Sequence, residues 1–411
     1  MIPEKLVVIT SFPTKGIIHD EAVVGIASYA KNTLLALKSA QKGLEITVLA
    51  EILSRKEAYE DEGISVKRTW KRGSFLLFPH LLREILSIKD TKNILIEFEV
   101  AMFGNFAYLL PFPLFLLFLK IMGKKITIVS HQVIPNIADL SGHLNLNSKL
   151  KTYLLNLCIH TFYRVLSLLS SRIIVFDKIL KDKLSNFADA NKIKIIPHGV
   201  EIFQTNIDKK EAKKKLKLAQ NDFTLLYFGY LAWYKGADLL VEAYRKFDNS
   251  QIKLILAGGP NPNHIGKAFY QYYVQKIENE CRKKNILLTG FVKEKDIPLY
   301  FIASDIVILP YRTLMSASGP LSIALSFNKP FLVSKALADM FETEDIKNTL
   351  NDLGIDKNDL IFEESDIQSK IMKVKEDGQF RDKLEELSKI LANKRSWEEI
   401  GKQYYHEIFL K

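Results

Sequence analysis

Short apolar runs recur along the whole chain, each followed by a stretch of helical spacing, and this alternation restricts the fold more than any other feature. Residues 5–10 (KLVVIT), 45–50 (EITVLA), 94–98 (ILIEF) and 125–130 (KITIVS) read as strands. Residues 64–68, 172–176 and 193–196 continue the series, with helices predicted near 26–39, 76–86, 108–122 and 150–169. From about residue 205 the alternation starts afresh, with strands at 225–228, 253–257, 286–289, 306–309 and 330–333. Such alternation predicts parallel sheets with helices on both faces. Two series in 411 residues predict an α/β chain of two Rossmann-like, doubly wound domains, 1–203 and 204–396, with ligand in the cleft between them.

The stretch 225–244, LLYFGYLAWYKGADLLVEAY, ties this pattern to chemistry. Its strand ends at Gly229, and a loop closes on Lys235-Gly236. Leu239, Leu240, Ala243 and Tyr244 then recur at helical spacing behind Asp238, a residue suited to a helix start. First-turn amides together with a lysine suit a phosphate, although ordinary strand–turn–helix connections share the outline.

Charge points the same way without choosing among polyanions. The chain carries 58 Lys and Arg against 47 Asp and Glu, a net +11, which suits nucleotide phosphates, anionic lipid or nucleic acid, and equally a lysine-rich solvated surface. Interleaved aromatic-basic motifs are lacking, so nucleic acid is not an expected partner. Cys158 and Cys281 lie far apart without metal-ligand spacing, so neither a disulfide framework nor a zinc site is expected. No D-x-D pair, G-x-G-x-x-G or G-x4-G-K-[ST] occurs, which argues against metal-dependent transfer, dehydrogenase and NTPase chemistry. The opening MIPEKLVVIT runs straight into a strand without the pattern of a secretion signal, and a cytoplasmic location is expected.

Residues 100–119, VAMFGNFAYLLPFPLFLLFL, carry no charge over a length that could span a bilayer. Gly104, Asn105, Pro111 and Pro113 within it, and the strands on either side, favour a buried helix. A third reading is an apolar face that docks on an anionic membrane, helped by Lys120, Lys124 and Lys125.

Several further stretches stand in a telling order: Gly25-Ile26-Ala27-Ser28-Tyr29, Glu99 with Phe103-Gly104, 130–135 (SHQVIP), 196–200 (IPHGV), 257–260 (AGGP), 289–292 (TGFV) and Ser396-Trp397. Over nearly its whole length the chain thereby resembles the retaining nucleotide-sugar glycosyltransferases of the GT-B fold, the large fourth family, also called group 1. The resemblance implies a GT-B architecture in which the last residues, about 397–411, return to the first domain. It implies catalytic roles for His131, on the sugar side, and Lys235, on the leaving diphosphate. Gly229, Tyr230, Gly236, Gly258, Gly259, Phe291 and Val292, with Ser318, Gly319, Pro320 and Leu321, would line the donor site. Gly25, Ser28 and Glu99 would lie on the acceptor side, and His198 would be a hinge or interdomain contact.

Two departures from the family pattern matter. Tyr230 stands where arginine is usual, which removes one cation. In 315–330 (MSASGPLSIALSFNKP) the two glutamates of most members are absent, with Met315 or Ser316 and then Ile323 in their places, although Ser318–Leu321 matches an S-G-x-L variant. Leaving-group stabilisation would then rest on Lys235 and on helix-start amides and a hydroxyl from Ser318–Leu321.

The expected reaction is metal-independent glycosyl transfer, with retention, from a UDP- or GDP-linked sugar to a carbohydrate or lipid-linked acceptor hydroxyl. No cofactor is expected beyond the nucleotide diphospho-sugar substrate. Polysaccharide or glycolipid assembly at the inner membrane face is the expected setting. The competing expectation, motivated by Tyr230 and the missing glutamates, is a catalytically silent subunit of the same fold that binds nucleotide or a protein partner.

Overall fold

A computed structural model describes residues 4–17, 26–137, 148–203, 205–247, 250–261, 264–284 and 286–410. Strand β1 (Lys5–Ile9) has Leu6 to Ile9 almost wholly buried, so it must be covered on both faces and flanked on both edges. It pairs in parallel with β2 (Glu45–Glu51) on one side and β5 (Asn93–Phe98) on the other, Val8 lying opposite both Val48 and Leu95. Beyond β2 come β4 (Ile64–Trp70) and β3 (Glu57–Asp61). Beyond β5 come β6 (Lys125–Ser130), β7 (Arg172–Val175) and β8 (Ile193–Ile195), which completes an eight-stranded sheet.

The second sheet is centred on β9 (Phe223–Phe228), which lies between β10 (Ile252–Ala257) and β12 (Ile306–Leu309). Strand β11 (Leu287–Leu288) extends one side, and β13 (Phe331–Ser334) and β14 (Ile361–Phe362) the other, all parallel. Both sheets are doubly wound. The winding reverses between β1 and β5 in the first and between β9 and β12 in the second, and chain ends diverge at such points to leave a crevice.

The structure corrects the sequence expectations in three places. The first sheet is not wholly parallel, because β3 runs antiparallel to β4 through a tight turn at Glu62 and Gly63. The polar strand EAYED has no apolar run to betray it. Strand β14 was also not expected, since two residues give no periodicity. The helix expected over 108–122 is instead two pieces, Phe106–Leu109 and Phe112–Ile121, and a further short piece, Val100–Phe103, precedes them. Gly104 turns the chain at φ +120°, where an added Cβ would lie 3.1 Å from the Gly73 Cα, and Asn105 caps the next piece through the Ala107 N–H. The longest piece has ten residues, about 15 Å of helix. No helix among the described residues is long and apolar enough to cross a membrane.

The chain crosses between the sheets twice, and the crossings are joined. The Val200 N–H donates to the Arg395 carbonyl at 2.8 Å, and Val200 pairs with Ser396. Arg395 is itself fixed by Asp345, at 2.6 and 3.1 Å. A return helix, Trp397–Tyr405, then packs along the first helix, Ile26–Ala40. Gly401 lies so near the Ala36 carbonyl that a Cβ would come within 2.4 Å of it. The Tyr29 and Tyr404 hydroxyls are 2.7 Å apart, and the Tyr29 ring meets Trp397, His198, His131 and Phe176 at 4.8 to 5.5 Å. Gly401→Ala should therefore cost about 1–3 kcal/mol despite the better helix propensity of alanine. Calorimetric unfolding measures this, and an unchanged midpoint would contradict so close a contact.

Candidate functional site

The loop after β9 builds one wall of the cleft. Gly229 leaves the strand at φ +113°, and the Lys235 ammonium folds back over it, 2.7 Å from where a Cβ would be. A short turn, Trp233–Lys235, leads to Gly236 at φ +69°, and a Cβ on Gly236 would sit 1.9 Å from the Pro310 carbonyl at the end of β12. Glycine is thus required at both positions, once for the lysine and once for the neighbouring strand.

Lys235 faces a cavity of about 250 Å³. Gly229, Tyr230, Gly258, Gly259, Phe291, Val292, Gly319 and Pro320 line it together with Ile323. The lining includes no carboxylate. Burial alone pushes the Lys235 ammonium down to about 8, without an acidic partner to hold it up. Tyr230 stacks on Phe291 at the rim, centroids 6.3 Å apart.

The helix starts are arranged differently from the sequence expectation. At Ala237–Arg245 the preceding Gly236 packs against the Pro310 carbonyl, and Asp238 is no cap. Its carboxylate accepts two bonds from Arg312, at 2.9 and 2.6 Å, and one from the Tyr273 hydroxyl, while Arg312 lies over the Trp233 ring. Gly236 lies with this anchor rather than in the cavity. At the helix Gly319–Ser326, Pro320 has no N–H and the Leu321 N–H is held by Ser318 Oγ at 3.4 Å, which leaves the Gly319 amide. Ser318 and Leu321 border a separate small cavity with His198 and Arg395.

A second cavity, about 460 Å³, continues the first toward the other sheet. Ser28, Tyr29, Asn32 and His198 line it from the first domain, and Phe291, Val292, Gly319 and Ile323, all shared with the lysine cavity, from the second. Ile323 thus presents a hydrocarbon where most relatives of this pattern carry a glutamate. His198, which burial pushes down to about 4, reaches Ser322 of the donor-side helix at 3.3 Å. Gly25 lies outside the described residues.

His131 lines neither cavity. It is buried at the end of β6, its Nε2 2.6 Å from Glu97 Oε2. Sequence reasoning missed Glu97, and the available signal was a carboxylate inside an otherwise apolar central strand. Glu97 is fully buried, and its Oε1 has no hydrogen-bond partner among the described residues. Glu99, two residues on, accepts from Gln132 Nε2 at 3.2 Å, and burial pushes its carboxyl above the usual range. The loop after His131 then spans the cleft: the Val133 N–H donates to the Met315 carbonyl at 2.9 Å, and Gln132 pairs with Ser316. The position of the first missing glutamate therefore serves an interdomain backbone contact.

This geometry has counterparts in known proteins. Residues 208–391 match the family model of the glycosyl transferases group 1. A lipopolysaccharide 1,2-N-acetylglucosaminetransferase of Salmonella typhimurium is 29% identical over 170 residues, 40% of this chain and 44% of that protein. A GDP-mannose:glycolipid 4-beta-D-mannosyltransferase of Xanthomonas campestris is 28% identical over 110 residues, 26% of this chain and 29% of that protein. The chain thus matches less than half the length of either curated relative. Over 98% of both chains it superposes on Anabaena Alr3699/HepE in complex with UDP, with a TM-score of 0.64 and 15% identity. Residues 208–391 thus carry the group 1 glycosyl transferase pattern, and the chain as a whole has the GT-B fold.

Proposed function

We propose that the chain moves a sugar from a UDP- or GDP-linked donor to an acceptor hydroxyl, with retention of anomeric configuration and without a metal, in polysaccharide or glycolipid assembly. The observation that carries this reading is Lys235, a desolvated cation without a counter-ion, facing a glycine-lined cavity at the switch point of the second sheet. A diphosphate supplies the missing charge. As the glycosidic bond breaks, negative charge grows on the leaving phosphate, and a cation and an amide already facing the cavity stabilise it. Gly258 and Gly259 let backbone approach the donor closely. The acceptor enters from the side of Ser28 and Asn32, with Glu99 on the same domain. His131, held by Glu97, lies behind Tyr29, whose ring lines the second cavity, and closure of the cleft limits hydrolysis. The relatives named for lipopolysaccharide and glycolipid support a carbohydrate or lipid-linked acceptor.

Calorimetry with UDP and GDP tests the donor site. One of them should bind, and Lys235→Ala should weaken it by about 1.5–3 kcal/mol, roughly ten- to more than a hundred-fold. Equal affinity in the variant would sink the assignment. With the ammonium near 8 in the free protein, affinity should fall about ten-fold between pH 7 and 9 as the proton is lost, and Lys235→Met should abolish that slope. The same Lys235→Met substitution removes a charge that folding must desolvate, so its thermal midpoint should rise, by about 1–3 kcal/mol of stability near neutral pH. A second reading, a silent subunit, is favoured by Tyr230 and Ile323 in the lining. Nucleotide binding without transfer to any offered acceptor would move the assignment there.

A further inference from the structure

Apart from Lys120, helix Phe112–Ile121 is apolar all the way round. Phe112, Phe115, Leu116 and Leu119 face the core. Leu114, Leu117, Phe118 and Ile121 repeat the same i, i+3, i+4, i+7 spacing on the outside, 40 to 72% exposed. Helix Lys149–Leu169 does likewise over its first half, where Leu150, Tyr153, Leu154 and Leu157 are 48 to 68% exposed. The two helices are neighbours, Phe112 meeting Phe162 and Lys120 Nζ donating to the Leu168 carbonyl at 2.7 Å. A helix on a water-facing surface carries charge on its outer stripe, and contiguous apolar stripes of this kind mark an interaction face.

The charge around this face selects its occupant. Between Val100 and Phe176 the chain has seven basic residues, Lys120, Lys124, Lys125, Lys149, Lys151, Arg164 and Arg172, and one acid, Asp139. A second copy docked here would bring like charges together, whereas anionic headgroups complement them. We infer that this helix pair seats on an anionic lipid bilayer, with its leucines in the outer acyl region and its lysines among the headgroups.

The face is wired to the cleft. Tyr163 accepts the Ile134 N–H at 2.9 Å, Asn156 accepts the Ile137 N–H at 2.8 Å, and His160 donates to the Pro135 carbonyl at 2.8 Å. That loop begins with His131 and Gln132 and touches Met315 and Ser316 of the donor half. Taken with the proposed transfer, on which this one step rests, the acceptor is a glycolipid whose tail stays in the bilayer while its sugar enters beside Ser28.

Co-sedimentation with phosphatidylcholine vesicles, with and without about one-third phosphatidylglycerol, tests the docking. The full chain should bind the anionic vesicles. Leu114→Gln/Ile121→Gln and Leu150→Gln/Leu154→Gln change exposed side chains only, and each should lower partitioning about ten-fold or more with unchanged thermal midpoint and nucleotide affinity. Lys149→Glu/Lys151→Glu should weaken binding to anionic vesicles alone. Wild-type partitioning by the glutamine variants, or no vesicle binding by the wild type, would overturn the docking. A dimer that the same substitutions split, without vesicle binding, would assign the face to a second copy and overturn it as well. Nucleotide affinity is read separately, so loss of the donor assignment would leave the docking result standing.

Discussion

The hydrogen bond from the Val200 amide to the Arg395 carbonyl joins the two passages of the chain between its sheets, and the geometry of the cleft depends on it. Trp397 follows at once and rests on Gly199, where a Cβ would come within 2.5 Å of its ring. From there the return helix reaches Tyr29 and, through it, His131 and His198. A two-domain protein joined by one linker would leave the relation of its switch points to a flexible strand. Here two strands of chain, an Arg395–Asp345 ion pair and a buried ring cluster restrict it together. Other contacts join the two halves as well, among them Val133 to Met315 and Lys183 to Thr313 and the Leu314 carbonyl.

Within that frame the Lys235 cavity is defined by what it lacks. Two positions where the related pattern supplies carboxylates are taken by a backbone bridge at Ser316 and by the hydrocarbon of Ile323, and the arginine position by the Tyr230–Phe291 stack. Removing acids from the neighbourhood of Lys235 compensates for removing the second cation, because nothing nearby neutralises the one that is left. The burial that depresses its proton affinity also strengthens its pull on an incoming anion.

Much of this was legible in the residues. Largely apolar runs identified the central strands, and 125–130 and 306–309 were read to the residue because a parallel sheet covered on both faces favours such runs. Gly229, Lys235, Gly258 and Phe291 were placed together by motif order, and they do share a cavity. What the sequence concealed were relations between distant residues. Asp238 reads as a helix cap from its neighbours, and only the fold brings Arg312 to it. Glu97 reads as one charge in a strand, and its partner is thirty-four positions away. The strand 57–61 and the short helical piece before Gly104 were missed for local reasons, a polar edge and a glycine turned by close contact with Gly73.

The return helix also has a consequence for the order in which the protein is made. The first sheet and its helices emerge from the ribosome early, but the helix that covers Tyr29 and Ala36 is encoded after the whole donor half. At about 5–20 residues per second, synthesis of the roughly two hundred intervening residues takes on the order of 10–40 s. During that interval the nascent first domain keeps an uncovered aromatic groove, and a chain stalled or cleaved before Trp397 never fills it. Final maturation of the first half is therefore coupled to successful completion of the second.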